Sequence, residues 1–83
     1  MAITVKVLYF AQVGDAAGTR AESLVLPDGA SVAVLLNKVS QSHEKVERMR
    51  RIIRAAVNEE TSELGRVLED GDTVALFPPI TGG

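Results

Sequence analysis

The sequence predicts an α+β fold, a mixed sheet of about four to five strands with one main helix packed on one face and a short second helix. Three observations predict it. Residues 3–10 alternate, with Ile3, Val5, Val7 and Tyr9 on one face and Thr4, Lys6, Leu8 and Phe10 on the other, as in a strand. Val32, Leu35, Leu36 and Val39 recur at i, i+3, i+4 and i+7, which puts all four on one helix face. Turn signals at Pro27-Asp28-Gly29 and Asp70-Gly71-Asp72 bound the strands, and one helix with about four strands suggests a sheet with the helix packed on one face.

The elements follow in order. Strand one covers residues 3–10, and its second face turns apolar at Leu8 and Phe10. Gly14-Asp15-Ala16-Ala17-Gly18 reads as a loop, from its small residues and paired glycines. Glu22 to Leu26 reads as the second strand, completing a hairpin with a long connection. Ser31 is placed to cap the helix of residues 31–40. Residues 43–51 predict a weaker helix, because only Val46 and Met49 keep the spacing. Ile52 to Val57 reads as a strand and Asn58 to Thr61 as its turn. The last strand runs from Thr73 to Phe77, and Pro78-Pro79 ends it because proline cannot donate to the ladder. This organisation gives one domain over residues 1–79 and a flexible tail over residues 80–83.

Composition narrows the function. Eighty-three residues leave room for a single core. No apolar run is long enough for a membrane span, and Met1 to Lys6 lacks a signal-peptide layout, so a cytoplasmic protein is expected. The chain has no cysteine, hence no disulfide and no thiolate ligand. Net charge is −2, yet Lys45, Arg48, Arg50, Arg51 and Arg54 cluster. Such a cluster fits either nucleic-acid binding or a solvated face. The overall acidity and the lack of interleaved aromatics favour the solvated face, so no nucleic-acid partner is expected.

Enzymatic machinery is sparse. His43 is the only histidine and reads as a surface residue without a triad partner. Glu59, Glu60 and Glu63 lack the loop of alternating oxygen ligands that holds a divalent ion, so no metal is expected. No phosphate-binding glycine loop occurs.

What is unusual is the close, Gly82-Gly83, a pair that random usage puts at a chain end about once in two hundred chains. One reading is a frayed end. The other is a working terminus, since Phe77-Pro78-Pro79 makes a stiff exit and glycine backbone can thread a channel too narrow for side chains. A terminal carboxylate is unreactive until a partner adenylates it. A sulfur nucleophile could then convert it to a thiocarboxylate. In a chain without cysteine, carried sulfur would have to sit on that end.

The opening strand Lys6-Val7-Leu8-Tyr9-Phe10-Ala11-Gln12, the segment Ala55-Ala56-Val57-Asn58, the turn Asp70-Gly71-Asp72-Thr73-Val74 and the ending Phe77-Pro78-Pro79-Ile80-Thr81-Gly82-Gly83 resemble the small subunits of molybdopterin synthase. These are ubiquitin-like sulfur carriers. The resemblance spans the chain in order, and the two prolines ahead of Gly-Gly are its most specific piece.

It implies a β-grasp fold and a non-catalytic sulfur-donor role. Gly83, preceded by Gly82, is adenylated and thiocarboxylated, then donates sulfur to cyclic pyranopterin monophosphate to build the molybdopterin dithiolene. The implied partners are the large synthase subunit in a heterotetramer, an E1-like activating enzyme that uses ATP, and a persulfide enzyme supplying sulfur. No permanently bound cofactor is implied. Phe10, Phe77, Pro78, Pro79, Ile80 and Thr81 are the expected partner-binding residues, with completion of a core edge as the bland reading of the two phenylalanines. The sequence departs from the family at Glu59-Glu60-Thr61-Ser62, where an apolar residue often follows the third strand. Three other roles remain open: a carrier for thiazole synthesis or tRNA thiolation, a protein modifier, and an interaction domain with an idle tail.

Overall fold

The computed structural model describes residues 1–79. Its elements are β1 (Ala2–Tyr9), α1 (Ala11–Ala17), β2 (Ala21–Pro27), α2 (Val32–Ser42), α3 (Glu44–Arg48), a 3-10 turn (Arg50–Ile52), β3 (Arg54–Val57), β4 (Glu60–Ser62) and β5 (Thr73–Phe77). The five strands form one sheet in the order β2-β1-β5-β3-β4. β1 and β5 run parallel in the middle, and the other neighbours are antiparallel. This is the expected mixed sheet, with first and last strands side by side.

Alternation along β1 sets the two faces. Ile3, Val5, Val7 and Tyr9 are buried, as are Leu24 and Leu26 of β2, Ala55 and Val57 of β3, and Val74 and Leu76 of β5. The apolar face of α2, made by Val32, Leu35, Leu36 and Val39, joins them in one core. Ser31 caps α2 as expected, its Oγ accepting the Val34 N–H at 3.3 Å. Ahead of β5, Gly71 adopts φ 88° and donates its N–H to Thr4 O at 2.8 Å, which ties the turn to β1.

Two segments differ from the sequence expectation. Residues 14–18 are not a loop, because α1 runs to Ala17 with Val13 and Ala17 buried one turn apart. Gly14 is a contact glycine within this helix. A Cβ there would lie 3.1 Å from the Tyr9 carbonyl oxygen, tighter than most Cβ contacts, and glycine removes that crowding where α1 packs against the end of β1. Residues 58–61 are not all turn either. Asn58 and Glu59 form a two-residue connection, and Glu60–Ser62 returns as β4 along β3. Smaller shifts follow the same pattern. β3 begins at Arg54 because Ile52 closes the 3-10 turn, and the weak second helix stops at Arg48.

Candidate functional site

The topology makes the chain leave from the centre of the sheet. β5 lies between β1 and β3, and Arg54 of β3 stands opposite Phe77, its last residue. On the other side the Phe10 N–H donates to Leu76 O at 3.0 Å, locking the end of β1 to the end of β5. Pro78 and Pro79 follow, both half-buried and outside the strand. Proline fixes φ and removes the donor, so the ladder ends there. Of the expected site residues, Ile80, Thr81, Gly82 and Gly83 lie outside the described residues.

The sheet face away from α2 is open. Register puts Leu8, Ala75 and Ala56 in one row across β1, β5 and β3. Two alanines in that row leave a hollow, lined also by Phe10, Thr73, Asn58 and Glu59. Phe10 is 49% exposed beside it, and covering that exposed half of the ring would contribute roughly 1 kcal/mol. Alternation along β5 sets Phe77 on the same face, half-buried. An apolar hollow next to a directed chain exit fits a docking face. Apart from Phe10 and Leu8, its members are small or polar residues with no signal of their own in sequence. Only strand pairing brings them together.

His43 differs from the expectation of a simple surface residue. It sits between α2 and α3, where its Nε2 lies 2.9 Å from Glu22 Oε2 on β2. Its ring meets Tyr9 edge-on, with centroids 6.1 Å apart. The contact joins the helical layer to the sheet and leaves His43 without a nucleophile to serve.

Tyr9 itself is buried, and its hydroxyl makes no well-formed hydrogen bond, although the Glu22 carboxylate lies close enough to act on it. Burial pushes the phenol well above its ordinary 10.0, with a lesser push from the Glu22 carboxylate. The fold therefore favours the neutral phenol. That stabilisation is complete below pH 10.0 and is lost as pH rises from there toward the folded value. Replacing Tyr9 by Phe removes a buried hydroxyl that makes no well-formed hydrogen bond. We expect stability near neutral pH to change by less than about 1 kcal/mol and the alkaline decline to flatten. Urea unfolding across pH checks this, and parallel decline of both proteins would contradict it. Tyr9 is the only tyrosine, so ultraviolet titration reads its ionisation directly.

Arg48, Arg50, Arg51 and Arg54 of the basic cluster line a groove over Leu36 and Ile53, shared with Glu47 and Glu63. Arg50 bonds Asn37 Oδ1 and lies 3.7 Å from Glu47, while Arg48 lies 3.8 Å from Glu44. These exposed pairs describe a solvated face. Among the described residues, no group of three His, Asp or Glu side chains could hold a metal ion. No helix among them is long and apolar enough to cross a membrane.

Comparison with known proteins extends the picture. The ThiS family matches residues 7–83. The chain is 37% identical over 82 residues to the human molybdopterin synthase sulfur carrier subunit, covering 95% of this chain and 93% of that one. Among solved structures it is similar to a candidate molybdopterin converting factor subunit 1 from Pyrococcus furiosus. The TM-score is 0.86 at 34% identity, over 94% of this chain and 99% of that one. It is also similar to small archaeal modifier protein 1 of Haloferax volcanii, with a TM-score of 0.86 and 26% identity over 94% of this chain and 99% of that one. The fold alone is shared with a chain from the complex of subunits 1 and 2 of the Helicobacter pylori molybdopterin-converting factor. That TM-score is 0.66 at 23% identity, over 98% of this chain and 100% of that one.

Proposed function

The chain belongs to the ThiS family, and on that premise we propose that it is the sulfur-carrier subunit of a molybdopterin synthase. The observation that carries this reading is similarity over nearly the whole length to relatives of that name, running into the Gly82-Gly83 close. The central, proline-stiffened exit beside an open apolar face supports it.

An E1-like enzyme binds the chain and presents ATP to Gly83. A carboxylate oxygen attacks the α-phosphorus and pyrophosphate leaves, which makes the acyl carbon electrophilic. The terminal sulfur of an enzyme persulfide then displaces AMP to form an acyl disulfide. A thiol cleaves the S–S bond, forming a disulfide with the donor sulfur and releasing the thiocarboxylate. Docked on the large synthase subunit in a heterotetramer, the tail delivers that sulfur to cyclic pyranopterin monophosphate. Each carrier brings one sulfur, so a dithiolene needs two charged carriers. Phe10, Phe77, Pro78 and Pro79 contact the partner, and Ile80 and Thr81 lead the glycines into its active site. ATP is consumed by the activating enzyme, and the carrier needs no resident cofactor.

Mass spectrometry of the protein incubated with its activating enzyme, ATP and a sulfur donor tests the reading. The expected product has one terminal oxygen replaced by sulfur and supports molybdopterin formation with the large subunit. An unchanged mass would overturn it. The likeness to an archaeal modifier protein favours a second reading, conjugation of Gly83 to lysines, which would appear as isopeptide adducts in the same experiment.

A further inference from the structure

The β3–β4 turn carries a residue its geometry does not favour. Two-residue hairpins with positive φ at both positions prefer Asn-Gly. Here the pair is Asn58 at φ 50° and Glu59 at φ 73°. Asn58 suits its place, since its Nδ2 donates to Asp72 Oδ1 at 2.9 Å and its Oδ1 accepts the Thr73 N–H at 3.0 Å. Asp72 is anchored in turn, its Oδ2 accepting the Glu69 N–H at 2.8 Å. That bond and the one from Asn58 hold the Asp72 carboxyl below the usual carboxylate range.

Glu59 gains no such contacts. It is exposed, with no ion pair among the described residues, and its left-handed backbone is one that glycine would adopt without strain. The pinned turn holds this strained acid at the rim of the hollow formed by Leu8, Phe10, Ala56 and Ala75. Strain kept where a glycine would relieve it, on the border of an apolar surface, points to use of the side chain.

We propose that Glu59 is a specificity-determining docking residue whose carboxylate pairs with a lysine or arginine of the protein partner covering this face. The proposal rests on the reading of the chain as a carrier that docks through the open sheet face. A partner with an apolar knob for the hollow but a carboxylate opposite Glu59 would meet like-charge repulsion and be disfavoured. A rim charge of this kind acts mainly on association rate and its salt dependence.

The test measures thermal unfolding of the carrier and its association kinetics with the molybdopterin synthase large subunit, at low and physiological salt. Wild type is compared with Glu59→Gly, Glu59→Gln and Phe10→Asp. Glu59→Gly is expected to melt about 3–8 °C higher. It should also associate about tenfold more slowly at low salt, with a flattened salt dependence. Glu59→Gln should show the same kinetic loss, which separates charge from backbone. If both Glu59 variants associate at the wild-type rate and salt slope while Phe10→Asp blocks binding, Glu59 has no docking role and the open-face reading stands. If Phe10→Asp also binds normally, docking through this face fails and the Glu59 assignment falls with it.

Discussion

Removing Gly83 is expected to abolish sulfur transfer while leaving the fold unchanged. One residue of extended chain spans about 3.3–3.6 Å, so truncation withdraws the reacting carbon by that distance from any site built to receive it. Misplacement by about 1 Å can already cost 10²-fold, and we expect a loss of at least about 10³-fold in molybdopterin formation. No second group can substitute. The chain has no cysteine, and its only histidine is engaged with Glu22. Extending the chain beyond Gly83 should be equally damaging, because the carboxylate then becomes an amide. The last buried strand residue is Leu76, and the unfolding free energy of the truncated chain should stay within roughly 0.5 kcal/mol of wild type. In vitro synthesis with the large subunit and activating enzyme checks the first expectation, and urea unfolding the second. A truncated chain that still supports product formation would refute the terminal mechanism.

Leu76→Ala is expected to have the largest effect on stability. Leu76 is fully buried on the central strand, between Tyr9 of β1 and Ala55 of β3. Truncating a buried leucine costs about 2–5 kcal/mol through lost burial and a residual cavity. A domain of this size has roughly 4–12 kcal/mol in total, so the variant loses a large share of its stability. The melting temperature should fall by roughly 10–20 °C. The same residue accepts the Phe10 N–H through its carbonyl and precedes the exit. Partner binding by the folded fraction should therefore weaken too, as the hollow beside Phe10 loosens. Chemical denaturation with a binding assay checks both, and a stability loss below about 1 kcal/mol would show that the core closes over the gap.

Much of this was open to reading in the residues alone. The alternation of Ile3 to Phe10 and the spacing of Val32, Leu35, Leu36 and Val39 are local periodicities, and each fixes an element and its buried face without reference to the rest of the chain. Helix α1 escaped because its evidence is a contact. Gly14 looks like a loop residue until the Tyr9 carbonyl is seen against it. Strand β4 escaped because three polar residues carry no alternating pattern, and only pairing with β3 makes them a strand. His43 escaped for the same reason, since its partner Glu22 is 21 residues away.

The Gly82-Gly83 close, the two prolines ahead of it and the lack of cysteine are what turned the sequence reading toward the terminus as the proposed reactive group. That is a matter of chemical inventory, which a sequence lists completely. The tertiary structure decided where that end departs and what surrounds its departure. Parallel pairing of β1 with β5 puts the exit at the centre of the sheet, and cross-strand register gathers Leu8, Phe10, Ala56, Glu59 and Ala75 beside it. Those residues lie up to 67 positions apart (8 to 75), and no local rule relates them. Their neighbourhood exists only because burying one face of the sheet under α2 fixes the register and turns the other face outward.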